Sequence, residues 1–233
     1  MSEAPASNET TIADAGSGDI EPEDQLRADT YRLLGRLLGT PPDDETLALL
    51  AKAPTSEDDN LLAVAWRLLA TTAERARADQ VTSEYEALFI GLGRGELVPY
   101  ASWYLTGYLM ERPLAELRSD MQELGFELHD DVSEPEDHAA ALCEIMALLA
   151  TETDPCSLAR QAKFFDTHVG PWLARFFRDM QQAESARFYR AVGQLGEQFI
   201  DTDQRYLEMV QRPDGAAATL NRTGLDEHRR SGA

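Results

Sequence analysis

Apolar residues recur along this chain at helical spacing, with no stretch of the apolar–polar alternation that marks a strand. Leu26, Leu33, Leu34, Leu37 and Leu38 fall on one face of a first predicted helix. Gly39-Thr40-Pro41-Pro42 should end it, because proline neither donates a helical hydrogen bond nor fits the preceding turn. Leu61, Leu62, Ala65, Trp66 and Leu69 form a second stripe. Trp172, Phe176 and Met180 repeat after the Gly170-Pro171 break, and Phe188, Val192, Leu195 and Phe199 repeat near the C-terminus. With no fixed internal repeat, these stripes predict an all-α fold, a single globular bundle of about eight to ten helices. The residues from about Ile90 to Tyr100 break the pattern, and irregular segments on rigid scaffolds often carry function.

The ends of the chain differ from its middle. Residues 1–22 are rich in Ala, Ser, Glu and Asp and carry neither an aromatic nor a basic residue. Too little apolar surface exists there to offset chain entropy, so this segment and the similar tail over 212–233 are expected to be disordered. The folded domain is expected over 23–211. The full chain holds 42 acidic against 21 basic residues, a formal net charge of -21. Such a surface repels phosphate backbones and argues against nucleic-acid binding, while it attracts basic segments. Two cysteines, Cys143 and Cys156, are too few for a disulfide framework and read as reduced core residues. No basic segment followed by an apolar one opens the chain, and no apolar run approaches the roughly 18 residues a membrane span needs. A cytoplasmic protein without stable membrane insertion is expected.

Two constellations stand out. Ser133-Glu134-Pro135-Glu136-Asp137-His138 precedes an Ala/Leu-rich helix and reads as its capping box, with Ser133 as N-cap and Glu136 three residues on. His138 aligns with Leu142, Ile145 and Leu149. Glu134 and His138 at i,i+4, with Cys143 or His168, are the residues a metal would need, but no second histidine lies at short ligand spacing and no metal is expected. The second constellation is aromatic. Tyr85, Leu88 and Phe89 sit at i, i+3, i+4, and Tyr100, Trp103, Tyr104 and Tyr108 follow within nine positions. Such residues suit a core stripe and an interface equally. Gly91-Leu92-Gly93-Arg94-Gly95 follows no strand and lacks the phosphate-binding glycine spacing, so it reads as a turn supplying positive φ. No nucleophile elbow or Cys/His dyad is present. Neither catalysis nor a cofactor is expected.

Tyr85-x-x-Leu88-Phe89, Pro99-Tyr100-x-Ser102-Trp103-Tyr104 and Glu134-Pro135-x-Asp137-His138, with Met146 eight residues beyond, together resemble the TorD/DmsD family of cytoplasmic redox-enzyme maturation chaperones. The resemblance spans roughly Asp24 to Tyr206 and includes the nitrate-reductase type of chaperone more distantly. It implies an all-helical fold without enzymatic activity. It also implies two partners, the catalytic subunit of a molybdopterin-dependent oxidoreductase and its twin-arginine signal peptide, held back from export until the cofactor is inserted. The family's peptide contacts fall on Tyr85, Leu88, Phe89, Pro99, Tyr100 and Trp103, with Asp137 and His138 across the groove. Ser102, Glu134, Pro135 and Met146 support the motif. Asp137 is expected to accept the peptide arginines or to orient His138. Leu88→Ala and Tyr100→Ala are both expected to weaken peptide binding with little loss of helicity. Some members carry Trp at the positions of Tyr85 and Tyr100, and many read Gly-Pro-Gly at Gly91-Leu92-Gly93. The resemblance implies a monomer or a domain-swapped homodimer. The alternative reading is a helical metal-binding protein or enzyme centred on Glu134, Asp137 and His138.

Overall fold

Helix α1 (Pro22–Gly39) opens on a proline, whose missing N–H is no loss at the first helical position. It stops at Thr40, whose extended backbone still returns its N–H to Arg36 O at 3.1 Å. The computed structural model describes residues 20–91, 95–126, 134–154 and 157–211. The two terminal segments expected to be disordered lie outside the described residues, apart from 20–22 and the start of α1. So do Gly93, Ser133 and Cys156.

After α1 come α2 (Asp44–Ala51), α3 (Leu61–Arg75), α4 (Ala78–Tyr85), α5 (Ala101–Thr106), α6 (Arg112–Glu123), α7 (Ala139–Ala150), α8 (Ser157–Phe164), α9 (Leu173–Gln182) and α10 (Phe188–Val210). The expected all-α bundle is therefore what forms. Among the described residues the only extended pairing is one antiparallel bridge, Tyr100 with His138. Helices α2 and α3 begin on oxygen side-chain caps: Asp43 accepts from Thr46 N and Asn60 from Ala63 N, both at 2.8 Å. Helices α4 and α8 each run on as one π-helical turn, Glu86–Ile90 and Phe165–Val169.

Helix α1 lies along α7, and α10 packs on α9 and α3. Small residues allow the closest approaches. A Cβ on Gly196 would stand 2.4 Å from the buried Phe177 ring, so α9 and α10 touch backbone to side chain there. The stripes read from the sequence mostly point inward. Leu34, Leu37, Leu38, Ala65, Leu69, Trp172, Phe176, Met180, Phe188, Val192, Leu195 and Phe199 are all buried, and so is Cys143 as a free thiol.

Leu26 and Leu61 are exceptions, 67% and 66% exposed. Helix α1 is turned so that Arg27, Ala28 and Tyr31 face the core in place of Leu26. The cause is a charge network rather than apolar spacing. Arg27 Nε donates to Asp203 Oδ1 at 2.5 Å, Arg27 Nη1 to Gln161 at 2.9 Å and Asp24 at 2.6 Å, and Tyr31 OH to Asp203 Oδ2 at 2.7 Å. Burial disfavours a charged Arg27, but the hydrogen bond and charge of Asp203 outweigh it and hold the guanidinium more firmly protonated than usual. Burial, then the Asp203 charge, raises the Tyr31 phenol.

Candidate functional site

The first wall of the site is the end of α4. Its π turn closes with Gly91 N donating to Glu86 O at 2.7 Å, and Gly91 takes φ 56°, the positive value expected of the glycine turn. The chain then doubles back, Glu96 N donating to Ala87 O at 3.2 Å and Leu97 N to Leu88 O at 2.8 Å. Gly95 is needed for a different reason, since a Cβ there would meet Leu88 O at 2.5 Å. With the one extra residue that a π turn inserts, Leu88 faces inward while Tyr85 and Phe89 stand side by side, ring centroids 5.0 Å apart and both half-buried. Their floor is Tyr189 of α10, 5.9 Å from Tyr85 and 5.4 Å from Phe89. Tyr85 OH donates towards Leu38 O and Gly39 O at 3.1 and 3.0 Å, fixing the ring to the end of α1.

The second wall is made where two distant segments meet. Ala101 N donates to Asp137 O at 2.9 Å and Ala139 N to Pro99 O at 2.8 Å, forming the Tyr100–His138 bridge. The two rings pack edge to face, centroids 5.1 Å apart, and Tyr100 OH donates to Glu134 Oε2. Glu134 is exposed, and its charge also reaches Tyr85: burial first and Glu134 second raise both phenols above their ordinary value. The stretch ending at Phe89 and the stretch around His138 thus share one acidic group.

The bridge also moves the helix start. The expected capping box is not what opens α7: that helix begins at Ala139 with His138 as N-cap, and Ser133 lies outside the described residues. Residues 134–138 are a turn, so Glu134 and His138 do not share a helical face; Tyr100 joins them instead. His138 Nδ1 accepts from Ala140 N at 3.1 Å, which leaves the proton of the neutral ring on Nε2. Burial pushes the His138 pKa down, against the opposing charges of Glu134 and Asp137. The unfolded chain therefore takes up this proton first as pH falls. Stability should be full above the ordinary pKa of about 6.5 and decline below it until the folded ring also protonates and loses its cap bond. His138→Asn keeps a cap acceptor without the titration. Urea midpoints at pH 7.5 and 5.5 should drop more for the parent chain than for that variant.

Several expected contact residues are sealed. Leu88 is fully buried, so its place is in the core and Leu88→Ala should destabilise the fold by about 2–5 kcal/mol rather than selectively weaken binding. Pro99, Ser102 and Met146 are buried as well. Asp137 is 1% exposed, and its Oδ2 accepts from Ser102 N at 2.8 Å, tying down the start of α5. It makes no hydrogen bond to the His138 ring, so neither role expected of it fits; its other oxygen, with the Ser102 hydroxyl, is buried without a partner. Tyr85, Phe89, Tyr100, Trp103 and His138 keep accessible surface, and Glu134 and the half-buried Pro135 edge the same region. Trp103 lies round the corner, lining a cleft with Leu97, Tyr104, Arg175 and Asp179.

The metal reading finds no geometry. Asp137, Glu134 and His138 Nδ1 bond in three different directions, and His168 pairs with Asp120 at 2.7 Å. Among the described residues no three His, Cys, Asp or Glu side chains converge as a cation would require, and no helix is long and apolar enough to cross a membrane. Two functional supports are absent from the sequence reading. Tyr189 stood outside every stripe, and Glu84 looked like one acid among many. Its carboxylate accepts from Arg187 N, Phe188 N and Tyr189 N at 2.7, 3.0 and 2.7 Å and so caps α10, which has no cap of its own.

Comparison with known proteins gives consistent results. The family model described as nitrate reductase delta subunit matches residues 55–178, just over half of the chain. The chain is 27% identical over 202 residues to the chaperone protein TorD of Shewanella loihica, covering 79% of this chain and 94% of that protein. It is 24% identical over 216 residues to TorD of Shewanella pealeana, covering 82% and 93%. With TorD of Vibrio cholerae it shares 30% over 142 residues, covering 57% and 64%. These relatives are named as chaperones and not as catalysts.

Proposed function

The chain belongs to the nitrate reductase delta subunit family, with TorD chaperones among its relatives, and on that premise we propose that it is a cytoplasmic chaperone for a molybdopterin-dependent oxidoreductase that binds the twin-arginine leader of its client. Residues 23–211 would form the chaperone domain. The observation that carries the leader-binding reading is a set of two accessible aromatic pairs, Tyr85 with Phe89 and Tyr100 with His138, sharing the exposed carboxylate of Glu134; we take the surface between the pairs as the binding trough.

The chemistry of the two sides matches. A twin-arginine leader carries two guanidinium groups followed by an apolar stretch. Glu134 offers an exposed oxygen beside the one held by Tyr100, and arginine pairs with carboxylates through its planar fork. Neutral His138 presents an N–H and an aromatic edge without adding positive charge. Half-buried aromatic rings supply area at low rotamer cost, which suits a site that must release its ligand. The net charge of -21 steers a basic leader inward, faster at low salt. Arginine recognition passes in this reading from Asp137, which is sealed, to Glu134.

Calorimetry with a synthetic twin-arginine leader tests this directly. Micromolar affinity is expected. Glu134→Gln should weaken it about fivefold and flatten its salt dependence, and Tyr100→Ala should weaken it at least as much, both with an unchanged circular dichroism spectrum. A parent chain that ignores every twin-arginine leader offered at tens of micromolar refutes the reading.

A further inference from the structure

The loop between α5 and α6 exposes apolar side chains that the fold does not need there. Helix α5 ends at Gly107, which takes φ 85° and returns its N–H to Trp103 O at 2.8 Å. Beyond it Tyr108, Leu109 and Met110 are 70%, 48% and 72% exposed, with Leu105 one turn earlier at 43%. Four large exposed apolar groups in six positions are a local concentration rather than the scattered exposure normal for a soluble surface.

The backbone holds this patch outward. Thr106 Oγ1 donates to Ser102 O at 2.8 Å and accepts from Tyr108 N at 3.2 Å, and Met110 sits at φ 58° as the only non-glycine residue with positive φ among those described. An unbranched side chain held in a left-handed conformation while mostly exposed is strain with little packing reward, and such strain collects at binding sites. Met110 opens onto a cleft whose other walls include Glu111, Leu114, Glu134 and Pro135. Arg112 and Arg118 in that cleft are taken up by Glu116 and Glu136 at 2.6 and 2.8 Å, which leaves Glu111 and Glu134 without a cationic partner among the described residues. Glu134 is the group that Tyr100 holds on the trough, so the cleft and the trough share a rim.

We propose, building on the leader-binding reading above, that the loop Leu105–Met110 and the cleft beside it grip the apolar stretch of the client leader, while the arginines preceding that stretch lie between Glu111 and Glu134. Charge decides the occupant. A second copy of this chain would bring another -21 charge to a rim of unpaired carboxylates, whereas a segment with arginines ahead of an apolar run is complementary to both halves. Methionine at the tip suits a site that must accept apolar runs of varied shape, because its side chain is unbranched and adaptable. Leader selectivity would then be set on this loop, and the trough would supply the shared aromatic grip.

The test is a coupling measurement by calorimetry on the full chain. The probes are a synthetic twin-arginine leader and the same peptide with its apolar run replaced by Gly and Ser. Tyr108→Ser/Met110→Ser should weaken the parent peptide about tenfold or more and leave the Gly/Ser peptide, already weak, unchanged. Met110→Gly should raise the melting temperature while weakening the parent peptide, because glycine suits φ 58° but brings no side chain. Unchanged affinity for the parent peptide, an equal loss for both peptides, or a change only in sedimentation mass overturns the inference. If the unaltered chain binds neither peptide, the proposed function falls with it. If that chain binds the leader and the double variant binds it equally well, the proposed function stands and only the role of the loop is refuted.

Discussion

Asp203→Ala is expected to destabilise the protein by about 3–5 kcal/mol, a fall of roughly 10 °C in melting temperature for a domain of this size. Arg27 is 7% exposed and Asp203 2%, so the substitution leaves a buried guanidinium with only Gln161 and Asp24 as acceptors among the described residues. It also removes the acceptor of the fully buried Tyr31 hydroxyl. The loss is the penalty of a buried guanidinium left with Asp24 as its one counter-charge among the described residues, and of a buried Tyr31 hydroxyl left without an acceptor, rather than the net worth of the pair. Replacing both partners by apolar groups, Arg27→Met with Asp203→Leu, should therefore recover much of the stability that Asp203→Ala loses. Thermal and urea denaturation of the single and double variants decide it. A single variant within about 1 kcal/mol of the parent would mean that water replaces the carboxylate and that the network contributes little.

Glu84→Ala is expected to cost about 2–3 kcal/mol, and it should carry a functional loss that Asp203→Ala does not single out. One carboxylate serves three N–H groups at the start of the 23-residue α10 and meets the positive end of its dipole. Without it the first turn of α10 frays, and the first turn carries Tyr189, the floor beneath Tyr85 and Phe89. Leader affinity should fall several-fold at a temperature where circular dichroism still reports a folded chain. Glu84→Gln keeps an acceptor but loses the charge and should fall between the two. A Glu84→Ala chain that binds the leader as the parent does would separate the trough from α10.

The bundle was largely legible in the amino-acid sequence because a buried helical face must repeat every three or four residues whatever lies opposite. Trp172, Phe176 and Met180 needed no knowledge of their partners to be placed. What escaped depends on partners far along the chain. Arg27 turns inward because Asp203 stands 176 residues away, and that turn leaves Leu26 in water. Glu84 caps a backbone more than a hundred residues downstream, where no local pattern can point to it. The start of α7 was misplaced for a similar reason. Ser133 and Glu136 have a sound local capping pattern, but the backbone of 137–139 is claimed by Pro99 and Ala101, and the helix waits until His138 is past. Within the site, spacing could show that Tyr85, Leu88 and Phe89 share a face. It could not show that a π turn would send Leu88 inward and leave Tyr85 and Phe89 in reach of solvent.

The floor at Tyr189 fixes when the trough comes into being during synthesis. A ribosome that has delivered everything from α1 to α9 has produced both walls, yet the surface on which Tyr85 and Phe89 rest is still in the exit tunnel. The aromatic surface at Tyr85 and Phe89 is thus completed only with the last helix, while the exposed loop Leu105–Met110 is already made when α6 emerges.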